Sequence, residues 1–473
     1  MDRITRRKFL RAAAAGGGAY ALAHTPGVSF AQMAGGNAMP GYKALVCIFL
    51  FGGNDSWNAL VPHSQAEYDV YATTRGGSQS TGGLAVDRSA LLPLDLATAD
   101  PRGWQYGLHP AMTGLASLFN AGHAAAIANI APLIEPTTLE QYRNGTVALP
   151  PQLFSHNDQQ DQWHSLRGKM PSKSGWAGRV ADLLRDNTTD QQIALNISLA
   201  GQTLFQTGDV SIPYVMGSSG PVNFAGFGAS GTGLARRTAF SNVINASYDT
   251  VYERGYAAVQ KRALQQVESI NAALNPTPPL PDLAALPDNP TTPLSSLATQ
   301  LRTVAKMIAA RNTLDMSRQV FFVATGGFDS HDDQNQNQPG LLGVVSDAIK
   351  RFYDATVELG VAQSVVTFTQ SDFGRTLTSN GDGTDHAWGG VQFAVGGQVQ
   401  GGRIYGTYPL LKVGATLAAD GADDVGGGRF IPTTSSDQYA ATLARWFGIT
   451  DSNLPQIARS IGNFSARDLG FLV

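Results

Sequence analysis

The sequence predicts an α/β fold, with a mainly parallel central sheet and helices on both faces. Continuous apolar runs of strand length recur along the chain, and a strand buried on both faces reads as such a run rather than as an alternating pattern. Helix-period stretches lie between several of them, as the crossovers of a parallel sheet require. Acids and histidines follow three of the runs directly, and in an open α/β sheet the carboxyl ends of the strands share the edge where ligands bind.

At the start of the chain, Thr5-Arg6-Arg7-Lys8-Phe9-Leu10 precedes a short Ala/Gly-rich apolar stretch and then Ser29-Phe30-Ala31 before Gln32. An arginine pair, a short apolar region and small residues before a cut form a twin-arginine signal over residues 1–31. The expected product is periplasmic or secreted, with the Tat export machinery as a partner. The apolar part is too short and glycine-rich to span a membrane, so no stable span is expected after cleavage.

The first strand is expected over residues 43–51, ended by Gly52-Gly53-Asn54. Further strands are expected over 124–130, 192–199, 320–324, 364–369 and 391–395, and helices over 109–121, 297–312, 341–359 and 437–447. Two stretches break the pattern. Residues 216–233 are Gly/Ser-rich and read as a mobile surface loop or lid, and residues 274–294 are Pro-rich and read as an extended connection. Residues 235–274 between them have helical periodicity. Candidate ligands fall on both sides of this region, which favours a single domain over 40–473 with a helical and loop insertion around 216–296.

With 43% hydrophobic and 15% charged residues among 473, the chain has ample material for a core. The formal net charge is −3, with no Lys/Arg cluster beyond the signal, which argues against nucleic acid as a partner. Cys47 is the single cysteine, so no internal disulfide forms, and its apolar surroundings make it a core residue.

The chemistry-bearing residues sit in four places. Asp55 follows the first apolar run and a Gly pair, where a carboxylate can reach a divalent cation or simply form a turn. Asp329 and His331 repeat this order after residues 320–324, and imidazole with carboxylate suits zinc, manganese or iron. Asp332 and Asp333 beside them are ligands, supporting groups or solvated acids. Asp372 follows the run at 364–369 and is a ligand or a helix cap. Arg375 is the candidate for gripping an oxyanion, because a guanidinium matches sulfate, phosphate or carboxylate bidentately, or else forms an ion pair. Asp385-His386 follows the glycines of GDGTDH as a further ligand or a loop pair. Acids recurring at several strand ends point to one divalent-metal centre.

These residues, in this order, resemble the twin-arginine-exported domain of unknown function 1501 family, within the alkaline phosphatase and sulfatase superfamily. The motifs are FLFGGND (49–55), LHPAM (108–112), SHNDQQDQW (155–163), GW (175–176), TGGFDSH (325–331), SDFGR (371–375) and TDH (384–386). The resemblance implies an alkaline-phosphatase-like fold and metal ligands at Asp55, Asp329, His331, Asp372 and His386. It implies a nucleophile at Ser155, which a nearby divalent ion would activate or which serves only as a helix N-cap. Two departures stand out. Phe373 occupies the place of a histidine in an expected acid-histidine pair, and phenylalanine binds no metal. Asp329 and His331 are also closer in sequence than is usual in the superfamily.

The resulting expectation is an exported, metal-dependent hydrolase of phosphate or sulfate esters, acting on a small-molecule or glycan ester with zinc, manganese, iron or calcium. The alternative is a catalytically inactive member of the same fold that binds an envelope or extracellular component. Histidine at His109 and His164 reads as structural.

Overall fold

The computed structural model describes residues 39, 41–188, 193–276, 279, 283–413 and 423–473. The expected signal over 1–31 lies outside these residues.

A nine-stranded sheet runs through the described chain. Its strands in chain order are β1 (Lys43–Leu50), β2 (Ala124–Ala131), β3 (Asn196–Ser198), β4 (Tyr214–Val215), β5 (Arg318–Thr325), β6 (Val365–Ser371), β7 (Gly390–Gly396), β8 (Arg403–Tyr405) and β9 (Thr434–Ser435). Across the sheet the order is β8, β2, β7, β6, β1, β5, β3, β4, with β9 paired on β2. β1 lies parallel to both β5 and β6. β7 departs from this, running antiparallel to β2 and β6. The fold is α/β with a mixed, mostly parallel sheet.

The helices of eight or more residues among the described residues are α1 (Gln65–Thr74), α2 (Thr113–Asn120), α3 (His156–Ser165), α4 (Trp176–Leu184), α5 (Gly231–Ile244), α6 (Val251–Leu274), α7 (Ser296–Ala309), α8 (Gln334–Glu358) and α9 (Ser436–Phe447). They cover both faces of the sheet. Val46, Ile48 and Leu50 of β1 share a core with Leu118 of α2, Val304 of α7 and Ile349 of α8. The alternate residues Leu45, Cys47 and Phe49 share another with Val180 of α4 and Leu443 of α9. Each such side chain contributes about 1.5–3 kcal/mol on burial, which is why β1 has no polar face.

Boundaries differ from the sequence expectation where local hydrogen bonding intervenes. The helix expected over 109–121 begins only at Thr113, after a turn in which Met112 N–H donates to His109 O (2.8 Å). The periodic stretch 235–274 is two helices, α5 and α6. The second is started by Thr250, whose hydroxyl accepts from Glu253 N–H.

The direction of β7 decides where the site forms. Leu50 is in register with Thr325 on one side and Ser371 on the other, so the loops after β1, β5 and β6 leave the sheet together. Because β7 runs the opposite way, its start lies at this same edge, and Asp385 and His386 just before it are delivered there.

Candidate metal centre

Two glycines let the three loops stack. Gly52 (φ 114°) donates its N–H to Asp372 Oδ2 (3.1 Å), and a Cβ there would lie 2.4 Å from Asp329 N. Gly53 (φ 80°) packs against Phe373, whose Cε2 would be 2.3 Å from an added Cβ. Both backbones are left-handed, a conformation glycine adopts without steric cost.

Above these loops, one ligand atom from each of His156, Asp329 and His386 lies within 4.8 Å of the others. His156 Nε2 is 3.5 Å from Asp329 Oδ2, and His386 Nε2 is 3.4 Å from Asp329 Oδ1. His331 stands beside this group, with Nε2 2.9 Å from His386 Nε2 and 3.1 Å from Asp329 Oδ1. The Phe373 ring forms an apolar wall, 4.8 Å from the His156 ring centroid and 4.5 Å from that of His386.

The far nitrogen of each imidazole determines what the near one can do. His156 Nδ1 is 2.6 Å from Asp372 Oδ2, His386 Nδ1 is 2.8 Å from Phe154 O, and His331 Nδ1 is 3.3 Å from Asp385 Oδ1. Each partner is an acceptor, which assigns a proton to each Nδ1 and turns the Nε2 atoms towards one another and Asp329. Three lone pairs then converge on a carboxylate. Arg375 Nη1 meets Asp329 Oδ1 (2.8 Å), and a further cation or added protons would satisfy the acceptors that remain; carboxylate- or carbonyl-held histidines are the usual arrangement around a bound metal. The donor set of imidazole and carboxylate suits zinc, manganese or iron and not calcium, which prefers oxygen. Phe154 is itself held at φ 72°, a left-handed backbone for a bulky residue, with its carbonyl aimed at His386.

Charges follow the same layout. The hydrogen bond to Asp372 raises His156 above the ordinary imidazole value despite partial burial. Burial lowers His386. Partial burial pushes Asp329 up, but the hydrogen bond and charge of Arg375, with His156 and His331 nearby, bring it below the ordinary carboxylate value. Asp385 is lowered by the hydrogen bond from Asn380 and then by His331. His109 and His164 are kept neutral by burial, pushed down to about 4 and about 3.

A cleft of ≈ 420 Å³ opens beside the cluster, lined by Tyr142, Phe154, His331, Asp385, His386, Val425 and Arg429.

Residues 42–459 match the family described as "Protein of unknown function (DUF1501)". The chain belongs to the DUF1501 family. No curated protein matches it. Among solved structures, it is similar to Ps i-CgsB in complex with k-i-k-neocarrahexaose, at 9% identity over 88% of this chain and 74% of that one, with a TM-score of 0.33. It is also similar to the PsFucS1 sulfatase from Pseudoalteromonas sp., at 10% identity over 88% and 69%, with a TM-score of 0.32.

In this DUF1501 chain the structure brings Asp329, His331 and His386 together. It places Asp372 one layer behind, fully buried, where its Oδ2 holds His156 and also accepts from Gln160 Nε2 (3.1 Å). Asp372 Oδ1 is buried with no hydrogen-bond partner among the described residues.

Asp55 is held away from the cluster. Arg75 grips it bidentately (2.7 Å to each oxygen) with both side chains fully buried, and Gln334 Nε2 donates to its Oδ2 (2.6 Å). A guanidinium neutralises this carboxylate, so its lone pairs are committed to the ion pair. Arg375, expected to grip a substrate oxyanion, is fully buried and binds the loops instead. It donates to Thr384 O, to Gly52 O (3.0 Å) and to Asp329 Oδ1 (2.8 Å). Ser155 stands at the N-cap position of α3 without a capping hydrogen bond from its side chain, and its hydroxyl donates to Asp158 Oδ2 (2.8 Å) instead.

Sequence reasoning passed over His156, although it stands next to Ser155 in the quoted SHNDQQDQW motif. A histidine at a helix start, flanked by polar residues and no apolar face to bury it, was the available signal. Arg429, inside VGGGRF, gave none.

Proposed function

We propose that this protein is an exported, metal-dependent hydrolase of phosphate or sulfate esters. The observation that carries the reading is the convergence of His156, His331 and His386 Nε2 on Asp329, a cluster of ligand atoms that a metal ion would satisfy. His156, Asp329 and His386 would hold a zinc, manganese or iron ion, with Asp372 and the Phe154 carbonyl fixing the two rings. Bound there, a divalent ion supplies Lewis-acid polarisation of the ester oxygens.

The remaining work falls to the chain's own groups. Ser155 Oγ is engaged by Asp158 Oδ2 (2.8 Å) and no hydroxyl or thiol of a serine, threonine or cysteine among the described residues lines the cleft, so this reading takes water as the attacking group. His331 lines the cleft with Asp385 at its Nδ1, so its Nε2 would take the proton as the water oxygen bonds to phosphorus or sulfur and the bond to the ester oxygen breaks, and would return that proton to the departing alcohol oxygen. Arg375 keeps Asp329 in place and ionised. Phe373 excludes water from behind the histidines. Export rests on the Thr5-Arg6-Arg7-Lys8-Phe9-Leu10 segment, with a periplasmic or secreted destination. Among the described residues, no helix is long and apolar enough to cross a membrane.

The test is hydrolysis of aryl phosphate and aryl sulfate esters by natively exported protein before and after chelation. Turnover abolished by the chelator and restored by a single metal is expected. The burial of Arg375 and the engagement of Ser155 favour a second reading, an inactive member that binds an envelope or extracellular component. A metal-loaded protein with no turnover of any ester would select it.

A further inference from the structure

We infer that Arg429 is the anion-binding residue of the cleft, taking the tetrahedral oxyanion group of a phosphate or sulfate ester; this rests on the hydrolase reading. Such a group needs a permanent cation that faces solvent. Arg375 does not qualify, because it is fully buried and its donors are spent on Thr384, Gly52 and Asp329. Arg429 is the one arginine or lysine lining the cleft among the described residues.

Its guanidinium is held in advance. Nε donates to His386 O (2.9 Å) and Nη1 to Gly426 O (3.0 Å), while the group sits 5.7 Å above the Phe154 ring. These contacts hold the guanidinium from two sides and leave the Nη2 donors for a ligand. The loop that carries Arg429 is fixed as well. Asp424 Oδ1 accepts from Gly426 N (2.7 Å) and Gly428 N (2.9 Å), and Leu377 N donates to Gly428 O (3.3 Å). A guanidinium held in advance loses little entropy when an oxyanion docks on Nη2, and the apolar walls of Tyr142, Phe154 and Val425 strengthen the charge pairing. Because Arg429 also touches the His386 carbonyl, the anion would be held next to the metal ligands rather than remote from them.

The test titrates inorganic phosphate and, separately, sulfate into the full chain by calorimetry, with metal content and thermal stability measured on every sample. Arg429→Gln is expected to weaken the preferred anion by about ten- to a hundredfold, the loss of a charged hydrogen-bonding partner, with metal content unchanged. Arg429→Lys, which keeps the charge and loses the guanidinium's fixed placement, is expected to fall between and covers the case in which the glutamine variant does not fold. The ratio of phosphate to sulfate affinity identifies the ester. Unchanged anion affinity in a folded, metal-loaded variant overturns the inference, as does a metal-loaded wild type that binds neither anion. If the wild type takes up no metal, the metal reading fails separately. Titration of the metal-free chain then still decides Arg429: binding lost in Arg429→Gln supports it, and no binding overturns it.

Discussion

Replacing Asp372 with asparagine tests the arrangement behind the histidines. The substitution keeps the size of the side chain and removes its charge. In the wild type the carboxylate is fully buried, and its Oδ2 receives His156 Nδ1 at 2.6 Å, the short contact of a charge-assisted bond. It fixes the tautomer that turns Nε2 towards Asp329 and raises the basicity of the ring. Loss of such a supporting group typically lowers metal affinity by about ten- to a hundredfold, or roughly 1.4–2.7 kcal/mol. Competition for zinc against a chromophoric chelator reads the affinity, with thermal unfolding as the control for folding. NMR titration of the metal-free protein gives a second readout. His156, which Asp372 holds above the ordinary value of 6.5, should titrate at lower pH in Asp372→Asn. A folded variant that binds zinc as tightly as the wild type would refute the role of His156 as a carboxylate-oriented ligand.

Arg75→Met should destabilise the fold by about 3–5 kcal/mol in urea unfolding, because it strands the buried Asp55 carboxylate, and Arg75→Met/Asp55→Leu should recover most of the loss. Gly53→Ala should cost roughly 1–3 kcal/mol or more, since its Cβ would meet Phe373 at 2.3 Å, and the displaced ring should also weaken metal binding. Away from the site, burial pushes the Asp437 carboxyl from 3.8 up to about 7. The folded state therefore keeps a proton that the unfolded state has lost, and stability falls as pH rises between those values. Asp437→Asn retains an acceptor for Ser460 N–H (2.7 Å in the wild type) and should flatten that slope in denaturant melts taken across the window.

The parts of the fold that were legible in the sequence are those where burial leaves one solution. β1 and the middles of β5 and β6 appear as mainly apolar runs because each has helices on both sides, and their shared edge made the approach of the Asp329 and Asp372 loops foreseeable. The direction of β7 was not legible, since an apolar run reads the same whichever way it points, yet that direction is what delivers His386. The partner of Asp55 was equally hidden. Arg75 ends α1 in an ordinary ATTRGG stretch, and only the folded chain shows which cation meets which buried acid. The same limit explains Arg375 and Arg429. Two arginines near glycines look alike in sequence, and burial alone separates the one that holds loops from the one that faces the cleft. His156 escaped for a different reason, because it reaches the site from a helix start rather than from a strand end.

The central claim is that the histidines and Asp329 form a metal site, and elemental analysis of natively exported protein beside a folding-matched His156→Ala/His386→Ala variant tests it most directly. The account predicts stoichiometric zinc, manganese or iron in the wild type and its loss from the variant. A wild type without metal, even after reconstitution with each of these ions, or a variant that keeps its metal, would contradict it.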